Sequence, residues 1–161
     1  MNSIACLWGI KASFMRYLAM QHGTQASIGG GAAATAKNEF LFPAAPGVGF
    51  LPAAGPGGMR FEGDVHFIAH GGLLNVVLAD PWIQRVGDQI LLSFITGEYS
   101  GSSVTPTVLA ELVERQSAED DGSVTFDATL ASSGIHVFGG VYAAGEPLDP
   151  IRIVHNPNTH T

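Results

Sequence analysis

The chain has 161 residues, the length of one domain, and its 14 acidic and 7 basic side chains give a net charge of −7 at pH 7. Charged residues make up 13% of the sequence, about half of the roughly 25% usual in globular proteins. Seven scattered basic residues cannot form the positive stripe that a phosphate backbone or an anionic membrane surface requires. We therefore expect one domain, residues 1–161, that binds neither nucleic acid nor membrane.

Cysteine usage and hydropathy exclude further classes. Cys6 is the only cysteine, which excludes an internal disulfide and a thiolate-rich metal site. The two long uncharged stretches, 17–36 and 40–59, are interrupted by polar residues and glycine or by proline, so neither predicts a membrane-spanning helix or direct membrane insertion. No basic segment precedes an apolar run at the N-terminus, so we expect a soluble chain without an export signal.

The first predicted elements are a strand and a short helix. Apolar residues alternate over 4–10, which is typical of a strand, and the spacing then changes to that of a helix. Ser13 is the predicted N-cap, and the helix is expected to end near Gln21. His22 falls in its last turn, and Gly23 is the predicted left-handed C-cap.

The rest of the chain predicts antiparallel strands separated by turns. Residues 23–58 hold nine glycines and four prolines, so they are interpreted as a long connection with one strand candidate, 39–42. Further short segments with alternating or β-branched residues predict strands at 60–68, 73–79, 89–95, 107–115, 123–131 and 151–154. Turns are predicted at Asp80-Pro81, Gly87-Asp88, Gly97, 120–122 and Asp149-Pro150. We expect a mainly β fold, an antiparallel β-sandwich with a short N-terminal helix, with a core over about 4–154 and a frayed tail over 155–161.

Few residues carry a chemical signal by spacing alone. No phosphate-binding glycine loop or nucleophile-elbow motif occurs. Ser13 and Tyr17 lie four residues apart, so they share one side of the predicted helix. Spacing alone is equally well explained if Ser13 caps the helix and Tyr17 packs in the core. His66 and His70 have equal parity on a strand, and spacing alone favours ordinary strand histidines over ligands. The two glycines directly after His70 allow close approach by a bulky group.

Four ordered blocks change this interpretation. They are LWGIKASFMRY at 7–17, FLFP at 40–43, the stretch from GDVHF through HGGL to ADP at 63–81, and FGGVYAAGEPLDP at 138–150. Together they resemble the HtaA haem-transport domain of actinobacterial cell-surface proteins, over about residues 4–154. The resemblance implies a secreted or cell-surface location for the family, whose members usually carry a signal peptide and often a membrane anchor.

The resemblance also implies residue roles. Tyr17 takes the position of the axial ligand of haem iron, His70 that of the histidine hydrogen-bonded to the tyrosine oxygen, and Ser13 that of a serine beside the haem propionates. Phe14 and Tyr142 are expected to wall the porphyrin of haem b, ferric protoporphyrin IX.

Two departures from the family pattern, Ala69 before the histidine and Asn75 after it, affect local packing more than ligation. A neutral phenol, with a usual pKa of about 10, is a poor ligand, but ferric iron stabilises the phenolate. An anionic oxygen ligand in turn favours Fe(III) and haem carriage. The implied function is capture of ferric haem and its transfer to another haem-carrying protein or a transporter.

Two alternatives remain open from the sequence. One is a haem-dependent enzyme, peroxidase-like or haem-degrading, because tyrosinate ligation also occurs in catalase. Its acid–base group would come from His66, His136 or Arg60. The other is a β-sandwich interaction module without a cofactor, which leaves Tyr17 and His70 without a role.

Overall fold

The computed structural model describes residues 4–21, 23–36, 39–45, 58–96, 106–115 and 123–155, apart from the side chains of His70 and His155. Within these ranges the chain forms one short α-helix, α1 (Ala12–Met20), and eleven strands. The strands are β1 (Ile4–Trp8), β2 (Gln25–Gly29), β3 (Ala33–Ala34), β4 (Phe40–Pro43), β5 (Met59–Arg60), β6 (Asp64–Ala69), β7 (Leu74–Val86), β8 (Gln89–Ile95), β9 (Thr107–Glu114), β10 (Val124–Leu130) and β11 (Pro147–His155). Two short 3-10 segments, His70–Gly72 and Ser132–Phe138, complete the described elements.

The strands form one antiparallel sheet in the order β2-β6-β7-β8-β9-β10-β11-β1-β4-β3, with β5 paired to β7. A tight turn joins β2 to β3 and brings the two ends of this order together, so the sheet is nearly closed. Its opposite parts pack face to face. The Trp8 ring of β1 stacks on Phe94 of β8 at a centroid distance of 5.6 Å, and Phe40 of β4 meets Phe67 of β6 at 5.7 Å. The expected mainly β, antiparallel fold with a short N-terminal helix is confirmed.

Two predicted turns lie inside strands. Strand β7 continues through Asp80-Pro81, where its register against β8 shifts and Asp80 has φ +51°. Strand β11 likewise includes Asp149-Pro150, and its pairing with β10 shifts between Phe126 and Ala128. A proline is tolerated in a sheet at such irregularities because no ladder hydrogen bond is then required from its nitrogen. The turn prediction at Gly87-Asp88 is confirmed, between β7 and β8.

Other strand predictions need correction. The predicted connection 23–58 contains β2 and β3, and the predicted strand 60–68 is divided into β5 and β6. All five residues of β1 are buried, because its second face packs in a small cluster with Leu41 and Val154. The backbone of His155 pairs with Ile4, so the last strand enters the predicted tail. His22, Gly97, 120–122 and 156–161 lie outside the described residues.

The N-cap of helix α1 lies two residues before the predicted one. Lys11, not Ser13, is the N-cap residue, and its side chain makes no capping hydrogen bond. The Asp149 carboxylate provides the cap from a distant part of the chain, because its Oδ1 accepts the backbone N–H of Ala12 at 3.0 Å. A carboxylate at this end also interacts favourably with the helix dipole. The prediction of a local serine cap was therefore wrong, since a tertiary contact replaces it.

The helix ends near Gln21 as predicted, but the capping residue is not the predicted Gly23. The C-cap residue is Gln21, and Gly23 adopts the left-handed conformation, φ +77°, two positions later. The single hydroxyl proton of Thr24 is shared between the carbonyl oxygens of Leu18 and Gln21, which lie 2.9 and 3.2 Å from its Oγ1, and the Leu18 carbonyl also accepts the Gln21 N–H. Within the described part of the chain, no helix has the length and apolar character needed to cross a membrane.

Candidate functional site

Helix α1 has one side in the core and two flanks outside it. Phe14 and Leu18 are its buried residues. Positions i, i+4 and i+7 of a helix share one side, and in α1 these are Ser13, Tyr17 and Met20. We call this side the tyrosine flank.

The tyrosine flank is accessible. Tyr17 is 42% exposed and Met20 is 80% exposed. Burial of a large apolar side chain stabilises a fold by about 1.5–3 kcal/mol, so leaving both side chains in contact with water sacrifices part of that contribution. The interpretation of Tyr17 as a core residue is therefore wrong, and its phenol lies where a ligand can approach.

The second segment of the site follows strand β6. The strand ends at Ala69, and His70 begins the 3-10 segment, so His66 and His70 do not share one unbroken strand as expected. Gly71 and Gly72 have φ of +65° and +97°, and among the described residues no atom beyond their chain neighbours lies within 4 Å of the place where a Cβ would be. The side chain of His70 lies outside the described part of the structure, so its contact with Tyr17 stays a prediction.

The third segment is the loop 139–146. The ring of Tyr142 lies 6.4 Å from that of Phe14 and 6.0 Å from that of Phe138, and the Phe14 and Phe138 rings are 5.2 Å apart, all in edge-to-face geometry. Such pairs contribute about 0.5–1.5 kcal/mol each beyond their buried area. Phe14 is only 2% exposed and so supports Tyr142 from the core side.

Exposed apolar side chains lie on or directly beside each of these segments. A Cβ on Gly139 would lie 3.3 Å from Leu74 Cδ1, so the loop 139–146 lies beside the start of β7. The preceding residue, Leu73, is 92% exposed, and Val141 in the loop is 70% exposed. Together with Tyr17 and Met20 they account for four of the seven large apolar side chains that are exposed in the described ranges. A concentration of this kind marks a binding surface more often than scattered exposure does.

The three contacts that Lys11 makes at the start of α1 were missed from the sequence. Lys11 Nζ donates to Glu146 Oε2 at 3.0 Å and to the carbonyl oxygen of Pro147 at 2.7 Å, and it lies 5.3 Å from the centroid of the Tyr142 ring. Lys11 belongs to the first of the four sequence blocks, which was the only available signal. Ser13 is exposed in the first turn of α1. Asp149 accepts the Ala12 amide, and the exposed Ser13 hydroxyl adds a further donor at the same end of the helix.

The other flank of α1 borders a cleft of about 810 Å³. Its lining is mostly small or charged and comprises Gly9, Ala12, Met15, Arg16, Ala19, Glu39, Asp149 and Arg152. Within it, Arg152 Nη2 lies 3.8 Å from Glu39 Oε1. We call this side the charged flank; Tyr17 is not among the residues that line its cleft.

The chemistry of the described residues limits the kinds of metal site. No group of three or more His, Cys, Asp or Glu side chains converges in these parts of the chain. Cys6 is fully buried, and burial, together with the nearby negative charge of Glu39, raises the pKa of its thiol. A protonated, inaccessible thiol is no metal ligand. Among the described residues, the half-exposed Tyr17 phenol is therefore a single oxygen donor without a surrounding set of metal ligands.

The proposed acid–base residues of a haem enzyme do not converge. His66 on β6 has its Nε2 against Asn75 Oδ1, which favours an N–H donated from the ring. The Arg60 guanidinium lies 4.0 Å from the centroid of Trp82, at the opposite end of β6 from His70. His136 is exposed in the second 3-10 segment.

The chain is similar to known proteins both in its sequence profile and in its fold. The HtaA family profile, described as Htaa, matches residues 3–154, whereas no curated protein sequence matches. Three solved structures from Corynebacterium glutamicum are similar. The N-terminal domain of HtaA shares 24% identity with a TM-score of 0.70, covering 95% of this chain and 96% of that domain.

The C-terminal domain of HtaA shares 24% identity with a TM-score of 0.67, covering 95% of this chain and 97% of that domain. The haem-binding protein HtaB shares 19% identity with a TM-score of 0.68, covering 97% of this chain and 96% of that protein. These structures share the fold, and the family profile extends from the first strand almost to the end of the last. The chain therefore belongs to the HtaA family.

Proposed function

We propose that this chain binds ferric haem through the Tyr17 phenolate and passes it on for haem-iron uptake or trafficking. The observation that carries the proposal is the exposed Tyr17 on a helix flank bordered by Met20, with two further exposed apolar side chains, Leu73 and Val141, on the adjoining segments. Family membership and the haem-binding relative HtaB support the same ligand. The proposed cofactor is haem b, and the proposed partners are haem-carrying proteins or transporters.

The chemistry assigns a separate task to each side chain. Bound ferric haem supplies a Lewis-acidic iron and two carboxylates on a flat apolar ring. Tyr17 loses its phenolic proton to solvent and presents the anionic oxygen. His70 follows β6 directly and is proposed to donate a hydrogen bond to that oxygen, which orients the phenol ring and moderates its basicity. The Ser13 hydroxyl donates to a propionate, and Tyr142 contacts the ring.

Transfer requires a site that releases its cargo. One protein ligand, with apolar contact on an open surface, holds haem less permanently than two strong axial ligands would. The dispersed positions of His66, His136 and Arg60 favour carriage over a haem enzyme, which needs an acid–base group above the open side of the iron. The alternative without any cofactor gives Tyr17 and His70 no chemical role.

The main test is a titration of apoprotein with ferric haemin. Wild type is expected to develop the visible charge-transfer band of an iron–phenolate bond, and Tyr17→Phe is expected to lose it. The haemin affinity of Tyr17→Phe should fall by more than roughly 10–100-fold, which is the loss usual when a residue that only hydrogen-bonds to a metal ligand is changed. Tyr142→Phe is the matched control, since it removes a phenol oxygen from the same surface. An unchanged band in Tyr17→Phe contradicts the ligand assignment.

His70→Ala tests the hydrogen bond to the phenolate. The variant is expected to keep the charge-transfer band at a shifted wavelength and to release haem about 10–100-fold faster, the usual range for an outer-shell partner. Release is measured by transfer to excess apomyoglobin, with the oligomeric state checked by size-exclusion chromatography. His66→Ala is the control from the same strand region. A spectrum and a release rate equal to those of wild type would remove His70 from the site.

A further inference from the structure

The start of helix α1 holds a group of contacts that involves none of the proposed iron ligands. Here Lys11 makes three contacts with one distant segment: Glu146 Oε2, the Pro147 carbonyl oxygen and the Tyr142 ring. Its side chain is only 13% exposed, and that of Glu146 is 35% exposed. A lysine with its stem covered and its ammonium group paired on both sides is a fixed structural contact, unlike the mobile lysines typical of surfaces.

We infer that Lys11 and Glu146 form a clamp that positions Tyr142 and the loop 139–146 against helix α1, and that this clamp sets how fast haem leaves the Tyr17 site. The inference rests on the proposed function for its second half only. Lys11 and Glu146 are positioning residues, because they act through Tyr142 and need not touch the haem.

The loop depends on this clamp because little else covers its outer part. Gly140 and Gly145 have positive φ, and no atom of the described residues, apart from chain neighbours, lies within 4 Å of the positions that a Cβ would occupy on them, while Val141 is exposed. The base of the loop is held by backbone hydrogen bonds, from Gly145 N–H to the Leu130 carbonyl at 2.7 Å and from Leu130 N–H to the Glu146 carbonyl at 2.9 Å. Between that base and Phe138, the Tyr142 ring packs toward the core, and the Lys11 ammonium group lies over it.

The helix side of the clamp is firmly attached. Lys11 directly precedes α1, whose first N–H is bound by Asp149. The backbone N–H of Asp149 donates to the Ile10 carbonyl at 2.9 Å, and Trp8 Nε1 donates to the Asp149 carbonyl at 2.7 Å. Since Tyr17 lies on the same helix, the clamp fixes the loop 139–146 relative to the proposed iron ligand. Loss of the clamp is therefore expected to open one wall of the site without moving the helix.

The first experiment uses the apoprotein and amide hydrogen exchange. Lys11→Met keeps most of the side-chain length and removes the charge, and Glu146→Gln removes the partner charge at constant shape. Both are expected to raise exchange within 139–146 by up to about fivefold, the range that a partly exposed ion pair supports. Lys11→Arg is expected to restore protection, because a guanidinium keeps the charge and the donors.

The matched control is the ion pair of Arg115 and Asp127, in which Arg115 Nη2 lies 2.8 Å from Asp127 Oδ1. It joins the end of β9 to β10 on the outside of the sheet. Arg115→Met is expected to leave exchange within 139–146 unchanged. Equal exchange in Lys11→Met and Arg115→Met, or a rise spread evenly over the sheet, overturns the clamp.

The second experiment measures haem release from the loaded full chain to excess apomyoglobin. Lys11→Met and Glu146→Gln are expected to release haem up to about fivefold faster than wild type and Arg115→Met, while the charge-transfer band stays in place. If wild type fails to bind haemin, the proposed function fails, and the exchange experiment still decides the structural clamp. If the variants bind haemin and release it at the wild-type rate, the effect on release is overturned and the proposed function stands.

Discussion

The two flanks of helix α1 differ in chemistry although they are separated by less than half a turn of the same helix. The tyrosine flank presents the exposed Ser13, Tyr17 and Met20, whose only polar side-chain groups are the serine hydroxyl and the phenol oxygen. The charged flank borders a cleft in which Arg16, Arg152, Glu39 and Asp149 provide two positive and two negative charges. The tyrosine flank is suited to a flat apolar molecule bound through one oxygen atom of the protein. On the charged flank, positive and negative side chains balance each other within the protein.

This difference teaches that exposure, rather than cavity volume, locates the proposed site. The cleft is concave and roomy, yet its Asp149 caps the helix and its Arg152 faces Glu39. These side chains already serve the fold. The apolar side chains of the tyrosine flank and its neighbours leave much of their surface in water, and a ligand or partner that covers them explains their exposure.

The largest expected effect is the loss of stability when helix α1, which carries both flanks, loses its packing on the core. Phe14 is 2% exposed and contacts Phe138 and Tyr142. Phe14→Ala is expected to lower the free energy of unfolding by about 3–5 kcal/mol through lost burial and a cavity. Urea denaturation followed by tryptophan fluorescence measures it. Val113→Ala, on the exposed side of β9, is the control. A loss below about 1 kcal/mol in Phe14→Ala would show that α1 is held mainly by its polar contacts.

A smaller effect is expected from making the surface beside the tyrosine flank polar. Leu73→Gln and Val141→Gln change residues that are 92% and 70% exposed, so the free energy of unfolding should change by less than about 0.5 kcal/mol. Haemin affinity of the double variant should fall about tenfold, because apolar contact area with the porphyrin is lost. Isothermal titration provides the affinity, with Val113→Gln as the control for an exposed valine elsewhere. Equal affinities in wild type, the double variant and the control would exclude this surface from haem binding.

The smallest effect is expected on the charged flank. Arg152→Gln removes one member of a 3.8 Å pair whose side chains are 37% and 22% exposed. The free energy of unfolding should fall by no more than about 1 kcal/mol, the upper range for partly exposed pairs, and haemin affinity should remain at the wild-type value. Arg16→Gln, which changes the exposed arginine of the same cleft, is the companion variant. A tenfold loss of haemin affinity in Arg152→Gln would mean that the two flanks act together.

The sequence was informative wherever local chemistry decides the outcome. Strand β8 was predicted with its observed bounds, and the strand predicted at 107–115 is β9, which ends one residue earlier. These segments have the alternation and flanking turn residues that define a strand without help from distant residues. The position of Tyr17 and Ser13 on one side of a short helix followed from helical spacing alone.

The errors share one physical cause, which is competition from residues far away in the chain. Ser13 is a good N-cap by local chemistry. The helix is capped instead by Asp149, which accepts the amide of Ala12 from 137 positions further along the chain. The Asp80-Pro81 and Asp149-Pro150 pairs are strong local turn signals. Strands β7 and β11 nevertheless continue through them, with a shift in their pairing to the neighbouring strands. Local preferences of about 1 kcal/mol are easily outweighed by the pairing and burial of a whole strand.

The sequence by itself therefore determined the fold class, the family resemblance and the helix that carries Tyr17. The tertiary structure alone decided that Tyr17 is exposed rather than part of the core, that Asp149 begins the helix, and that Lys11 reaches the segment of Tyr142 and Glu146. The reason is that exposure and long-range pairing depend on which strands meet. In an antiparallel sheet closed through residues more than a hundred positions apart, that information is not local.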